Sequence, residues 1–171
     1  MEQYRKILQI VGYQNSGKTT LMEQLIGQAA SEGLRVGTIK HHGHGGIPAA
    51  DHSKDSVRHE QAGASVTAVE GEGTLRMSIH QSNWQLSDIL AIYESFSMEL
   101  ILIEGYKNEH YPKVVLLRRE EDQALLEKVT DIICVLYWPT YPLDKPLDYP
   151  AFSIHEKVQY MEFLMTEIRG K

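Results

Sequence analysis

Cysteine is almost absent from this chain. Cys134 is the only one, so no disulfide can form within it, which fits a reducing compartment. It falls inside the apolar run Ile132-Ile133-Cys134-Val135-Leu136 and reads as a small buried hydrophobe rather than a nucleophile. No apolar run approaches the ~20 residues of a membrane-spanning helix. The N-terminus, Met-Glu-Gln-Tyr-Arg-Lys followed by a short apolar stretch, lacks the features of a signal peptide. A soluble, cytoplasmic protein with no membrane partner is therefore expected. Basic charge is also in deficit, with 17 Lys and Arg against 23 Asp and Glu for a net charge of -6. That balance argues against non-specific nucleic-acid binding, whose affinity comes largely from cationic side chains on phosphates.

No internal repeat and no low-complexity tract interrupts the chain. Its 171 residues predict one domain, spanning 1–171, with a sizeable core. A first strand, Ile7 to Val11, runs into a glycine-rich loop. The helix that follows carries Leu21, Met22, Leu25, Ile26, Ala29 and Ala30 at helical spacing, with Gly33 as its stop. A strand from Arg35 to Ile39 completes a βαβ unit, which predicts a parallel sheet. Residues 41–56, rich in Gly, His and Asp, read as a long loop, and a short helix covers Val57 to Ala64. Two strand-like runs, Ser65 to Val69 and Thr74 to Ile79, flank Glu70-Gly71-Glu72-Gly73 and predict a hairpin.

A helix from Leu86 to Phe96 precedes Leu100-Ile101-Leu102-Ile103, an apolar strand of the kind buried on both faces. Val114 to Leu117 and Ile132 to Leu136 are two more strands, separated by a polar helix from Glu120 to Lys128. Four of the six prolines lie between Tyr137 and Pro150 and exclude regular structure there. Ser153 and Glu156 form a capping-box pattern before a helix striped with Ile154, Val158, Met161, Met165 and Ile168. The alternation predicts an α/β fold with helices on both faces of the sheet.

Gly12-Tyr13-Gln14-Asn15-Ser16-Gly17-Lys18-Thr19 fits G-x-x-x-x-G-K-[ST], the Walker A pattern, without a mismatch. Its glycines let successive backbone N–H groups turn toward phosphate oxygens. A helix starting near Lys18 adds its unsatisfied N–H groups and positive dipole end. Lys18 then reaches the terminal phosphates, and the Thr19 hydroxyl coordinates Mg²⁺. Four such positions coincide by chance in roughly half a percent of chains this long. The position of the match between a buried strand and an amphipathic helix makes an accident rarer. The fold class is then an α/β, P-loop NTPase-like three-layer sandwich with a mostly parallel sheet and a β-hairpin.

The acid expected to hold the metal is Glu104, directly after an apolar strand, where ligands gather in open α/β sheets. A solvated loop acid is the competing reading, since Asp is the usual residue there. Five of the eight histidines (His41, His42, His44, His52 and His59) fall together with Asp51 and Asp55. Their spacing matches no zinc pattern, so substrate contact or solvent exposure is favoured over a transition-metal site. Lys40, Lys54, Asp55 and Arg58 read either as contacts to an anionic ligand or as ordinary surface charge.

Three blocks together resemble the MobB family, the molybdopterin-guanine dinucleotide biosynthesis adapter proteins. They are Ile7 to Leu21, then Ile39-Lys40-His41-His42 with Lys54-Asp55-Ser56 and His59 to Ala64, and finally Leu102 to Lys107 with Pro112 to Arg118. The resemblance implies GTP binding with Mg²⁺ and weak hydrolysis at most. It also implies help in attaching GMP to molybdopterin, the guanylyltransferase MobA as partner, and a homodimer. Gly12, Asn15, Ser16, Gly17, Lys18, Thr19 and Thr20 are the nucleotide-binding candidates, with Lys40, His41 and Asp55 from the second block. Lys18 and Glu104 are the catalytic candidates, and Thr19 and Glu104 the metal candidates.

No N-K-x-D guanine signature occurs, and Tyr137 to Pro142 matches no family feature. Guanine preference therefore rests on the resemblance. A small-molecule kinase and a metallochaperone GTPase remain as alternative readings. The kinase would need an arginine-bearing lid, for which Arg58, Arg118 and Arg119 are the candidates.

Overall fold

The computed structural model describes residues 6–42, 55–141 and 147–170. In chain order the elements are β1 (Lys6–Gly12), α1 (Lys18–Ser31), β2 (Val36–Lys40), α2 (Asp55–Gln61), β3 (Val66–Gly71), β4 (Thr74–Ile79), α3 (Leu86–Glu94), β5 (Leu100–Glu104), β6 (Lys113–Leu117), β7 (Ile132–Tyr137), β8 (Ala151–Ser153) and α4 (Lys157–Arg169). The chain groups into two compact units, residues 1–43 with 92–171 and residues 44–91.

The first unit is built on a six-stranded sheet in the order β2-β5-β1-β6-β7-β8, and each neighbouring pair is parallel. The apolar run of β5 is fully buried because that strand lies between β1 and β2 with both faces covered. On one face α1 and α4 pack Leu21, Leu25, Tyr160 and Leu164 against Leu8, Ile10, Leu102 and Leu136. On the other, Leu125, Val129 and Tyr141 cover Val11, Val115, Leu117 and Val135. At β2, Gly37 leaves room for Tyr93: an added Cβ would lie 2.7 Å from that ring. The Tyr93 hydroxyl donates to the Thr38 carbonyl.

From β1 the chain passes through α1 to β2, on one side of the sheet, and it later returns to place β6 on the other side of β1. That reversal of strand order opens a crevice at the carboxyl end of β1.

Several local expectations are corrected. The predicted helix over Glu120 to Lys128 is a 3₁₀ helix, Glu120–Leu125. Asp122 turns its carboxylate back to accept the N–H groups of Arg118 (2.7 Å) and Arg119 (3.0 Å), which tightens the turn. The proline-rich stretch is followed by a short strand, β8, paired with β7, which the sequence pattern does not announce. Ser153 belongs to that strand, so α4 starts at Lys157, although Glu156 does accept the Ser153 N–H at 2.7 Å. Val158 is 77% exposed, and the buried face of α4 runs through Tyr160, Leu164, Met165 and Ile168. Ala30 likewise lies on the exposed side of α1.

The second unit holds α2 and the antiparallel hairpin β3–β4. Glu72 and Gly73 form its two-residue turn, both at positive φ (50° and 75°), which matches the twist of paired strands. Glu60 of α2 ties this unit together by accepting the Thr67 hydroxyl at 2.7 Å and lying 3.2 Å from His80 Nε2. One face of the hairpin exposes Val66, Leu75 and Met77.

Candidate functional site

The loop between β1 and α1 is held in a tight bend. A Cβ at Gly12 would sit 2.5 Å from Ser16 Oγ and 3.0 Å from the Leu116 carbonyl, so only glycine fits there. Asn15 (φ 59°) and Gly17 (φ 101°) both take left-handed conformations, and Ser16 N–H closes a turn onto the Tyr13 carbonyl at 3.3 Å. α1 begins at Lys18 with no side-chain cap. Its first-turn N–H groups are thus left for another acceptor, which suits an anion. The buried Ser16 hydroxyl lies against Gly12 and has no hydrogen-bond partner among the described residues.

Four expected residues converge beside this loop. Lys40 and Glu104 are register partners at the ends of β2 and β5. Lys40 Nζ lies 3.2 Å from Glu104 Oε1, and the Thr19 hydroxyl donates to Glu104 Oε2 at 3.4 Å. Lys18 Nζ donates to the Tyr13 carbonyl at 2.7 Å. Burial lowers the pKa of Lys18 below its ordinary value; Glu104 opposes that shift and Lys40 adds to it. All four line a cavity of about 530 Å³, together with Gln14 to Gly17, Thr20, Arg118 and Trp138.

Glu104 is the last residue of β5 rather than a loop residue, and it is largely buried. The backbone beyond it bends sharply, with Gly105 (φ 97°) and Tyr106 (φ 50°) both left-handed. Gln9, fully buried in β1, stabilises that bend by donating from Nε2 to the carbonyls of Gly105 (3.0 Å) and Tyr106 (2.9 Å). His41 is anchored by its N–H to the Glu104 carbonyl at 2.9 Å, and its ring packs on Tyr106 with centroids 4.4 Å apart. It does not line the cavity. Asp55 begins α2 in the second unit, and its side chain lies outside the described residues, as do His44, Asp51, His52 and Lys54.

Besides Gln14 of the loop itself, two cavity residues are not among the sequence-derived candidates for this site. Arg118 and Trp138 follow β6 and β7, so both stand at strand carboxyl ends, the signal that singled out Glu104. From the sequence Arg118 is the last residue of the third block and a candidate only for a kinase lid. Trp138 fell in the unmatched stretch, although its place one residue beyond an apolar strand is the same kind of position.

Thr19 and Glu104 bring together hard oxygen donors, the ligand type that Mg²⁺ takes. No group of three or more His, Cys, Asp and Glu side chains suited to a metal ion occurs among the described residues. A second groove, of about 390 Å³, lies between α1 and α4 and is lined by Gln24, Met161 and Arg169, remote from the loop. No helix among the described residues is long and apolar enough to cross a membrane.

Comparison with known proteins gives the family. Residues 7–138 match the family model described as MobB, Molybdopterin guanine dinucleotide synthesis protein B. A Bacillus subtilis protein, described as "Probable molybdopterin-guanine dinucleotide biosynthesis adapter protein", is 39% identical over 96% of this chain and 94% of its own length. A Haemophilus influenzae protein described as "Molybdopterin-guanine dinucleotide biosynthesis adapter protein" is 32% identical over 92% of this chain and 86% of its own. The crystal structure of Bacillus subtilis MobB superposes with a TM-score of 0.85 at 37% identity, covering 97% of this chain and 99% of that one. The chain with its strand, phosphate-loop pattern and Glu104 block belongs to the MobB family.

Proposed function

We propose that this protein is an adapter in molybdopterin-guanine dinucleotide biosynthesis that binds GTP with Mg²⁺ and assists a guanylyltransferase of the MobA type in attaching GMP to molybdopterin. The adapter role is supported by the family match and by relatives described in those words. The nucleotide reading rests chiefly on one observation: Lys18, Thr19, Lys40 and Glu104 converge on the cavity under the glycine-rich loop.

The chain's own residues suggest how a triphosphate would be held. The loop amides and the uncapped start of α1 form an anion-binding concavity. Lys18 adds a charge to it, and its lowered pKa reflects the desolvation that an anionic partner would offset. Thr19 and Glu104 would hold Mg²⁺, which neutralises charge on the phosphate oxygens when bound. Glu104 directs its carboxylate toward the loop because β5 ends there and Gln9 supports the bend beyond it. Lys40 supplies a second ammonium on the β2 side.

Slow hydrolysis at most is the corresponding expectation. The described residues beside the loop offer one cation beyond the lysines, Arg118, and it is already engaged with the Asn15 carbonyl at 2.7 Å. Preference for guanine comes from the family relationship. A homodimer belongs to the same reading, and the exposed apolar face of the hairpin (Val66, Leu75, Met77) offers surface for it.

Calorimetric titration with GTP, ATP and GDP in Mg²⁺, with and without purified guanylyltransferase, tests the proposal. Tighter binding of GTP than of ATP, and a change in GTP affinity when the transferase is present, are expected. Preference for ATP with no response to the transferase would overturn the adapter reading in favour of a kinase.

A further inference from the structure

We infer that Trp138, assisted by Arg118, is a positioning residue that clamps the glycine-rich loop and sets the direction of its Gly17 amide. This rests on the anion-binding reading of that loop.

The two residues approach the loop from neighbouring strand ends and grip consecutive carbonyls. Arg118 Nη1 donates to the Asn15 carbonyl at 2.7 Å, and the Trp138 indole N–H donates to the Ser16 carbonyl at 2.7 Å. The guanidinium lies over the indole, 5.1 Å from its centroid, so the two grips are joined to each other. Both residues are themselves anchored. Trp138 N–H donates to the Leu117 carbonyl at 2.9 Å, and Arg118 offers its carbonyl to the Thr140 hydroxyl at 2.7 Å.

The consequence follows from peptide planarity. The carbonyl of Ser16 and the N–H of Gly17 belong to one rigid unit and point in opposite directions. Holding that carbonyl on Trp138 directs the Gly17 N–H away from the indole, toward the hollow of the loop. Gly17 is also where the loop is least constrained by its own chemistry, since glycine at φ 101° populates other backbone regions readily. The indole stands at ordinary contact distance from this residue, 3.6 Å from where a Cβ would lie, so the hydrogen bond to the Ser16 carbonyl rather than steric exclusion holds the peptide in place. A peptide flip here would turn a carbonyl oxygen toward the phosphates, so the clamp acts on binding rather than on the fold.

The test uses the full chain with two probes, inorganic tripolyphosphate and Mg·GTP, measured by calorimetry. A ¹⁵N-glycine-labelled sample adds the Gly17 amide resonance as a local readout. Trp138→Phe keeps the ring against the loop and removes the donor. It should weaken both probes by the same factor, about fivefold to tenfold as expected for one lost hydrogen bond. It should also shift the Gly17 amide before any ligand is added. Arg118→Lys, which keeps the charge and loses the planar fork, should show the same equal loss and keeps the test open if Trp138→Phe fails to fold. Loss confined to Mg·GTP would overturn the clamp and make the indole a nucleoside contact. Unchanged affinities with an unmoved Gly17 amide would also overturn it. Wild-type protein that binds neither probe would defeat the anion-binding reading itself, a result distinct from failure of the clamp alone.

Discussion

Lys40 and Glu104 face each other across β2 and β5, with Nζ 3.2 Å from Oε1. The same carboxylate accepts the Thr19 hydroxyl at 3.4 Å, so one acid serves an ammonium and the proposed metal-side hydroxyl together. A divalent cation placed at Thr19 and Glu104 must therefore compete with Lys40 for negative charge. Glu104→Gln is expected to abolish most of the Mg²⁺ dependence of GTP binding while costing less than about tenfold in metal-free affinity, because an amide cannot hold the cation as a carboxylate does. Titrating GTP at a series of Mg²⁺ concentrations checks it; an unchanged Mg²⁺ dependence would remove Glu104 from the metal site.

Lys18→Ala should lower triphosphate affinity by about a hundredfold or more, the scale of a charge-assisted contact in a partly desolvated site. The melting temperature should not fall, since Lys18 satisfies only the Tyr13 carbonyl at the rim of the loop. Equal affinity in mutant and parent would refute the site.

Alkaline pH separates binding from folding at the same lysine. Burial places the Lys18 pKa in the folded protein below its ordinary value of 10.5. The part of the tripolyphosphate affinity that Lys18→Ala loses, a difference that cancels the ligand's own deprotonation, should be full at neutral pH and fall as pH rises through that lowered value, before 10.5 is reached. Between the two values the unfolded chain binds more protons than the folded one, so the Lys18 contribution to stability rises with pH in that window. Below it, both states are protonated and the burial cost is present in full. Parallel calorimetry and thermal melts across this range, with Lys18→Ala as the control, distinguish the two trends.

Gly12→Ala tests the bend itself. The new methyl would meet Ser16 Oγ at 2.5 Å and backbone at 3.0 Å, so the loop must shift. We expect a stability loss of about 1–3 kcal/mol and weaker anion binding, both read from melts with and without tripolyphosphate. Parent-like values in both would show that the loop is looser than this packing implies.

Cys134 should be inert in the folded protein. Burial, with a smaller contribution from Glu167, pushes its thiol pKa up to about 12. At pH 8 a thiol reagent should label it only after denaturation; stoichiometric labelling of native protein would contradict its burial in the sheet.

Much of this protein follows from local chemistry that a chain carries in its order of residues. The continuous apolar runs of β1, β5, β6 and β7 have no polar face to offer water, so they predict central parallel strands. The spacing of Gly12, Gly17, Lys18 and Thr19 is a property of consecutive residues and needs no fold to be read. The hairpin was legible for the same reason, because Glu72-Gly73 supplies the backbone its turn requires.

Tertiary structure decided what distant segments do to one another. Nothing near Gln9 in sequence shows that a glutamine in an apolar strand supports the bend 96 residues away. The pairing of Lys40 with Glu104 arises from the register of β2 against β5, which depends on the whole sheet. Trp138 meets Ser16 only because β6 and β7 stack beside β1 in that strand order, across 122 residues of chain. β8 is illegible because its three residues are too few to carry a local pattern, whereas its pairing with β7 stabilises it from outside. Local sequence thus determined which segments become strands, helices and the glycine-rich loop, since those choices depend on near neighbours. The partners that aim and brace the loop were set by strand order, since hydrogen bonds and packing join residues that the chain itself keeps far apart.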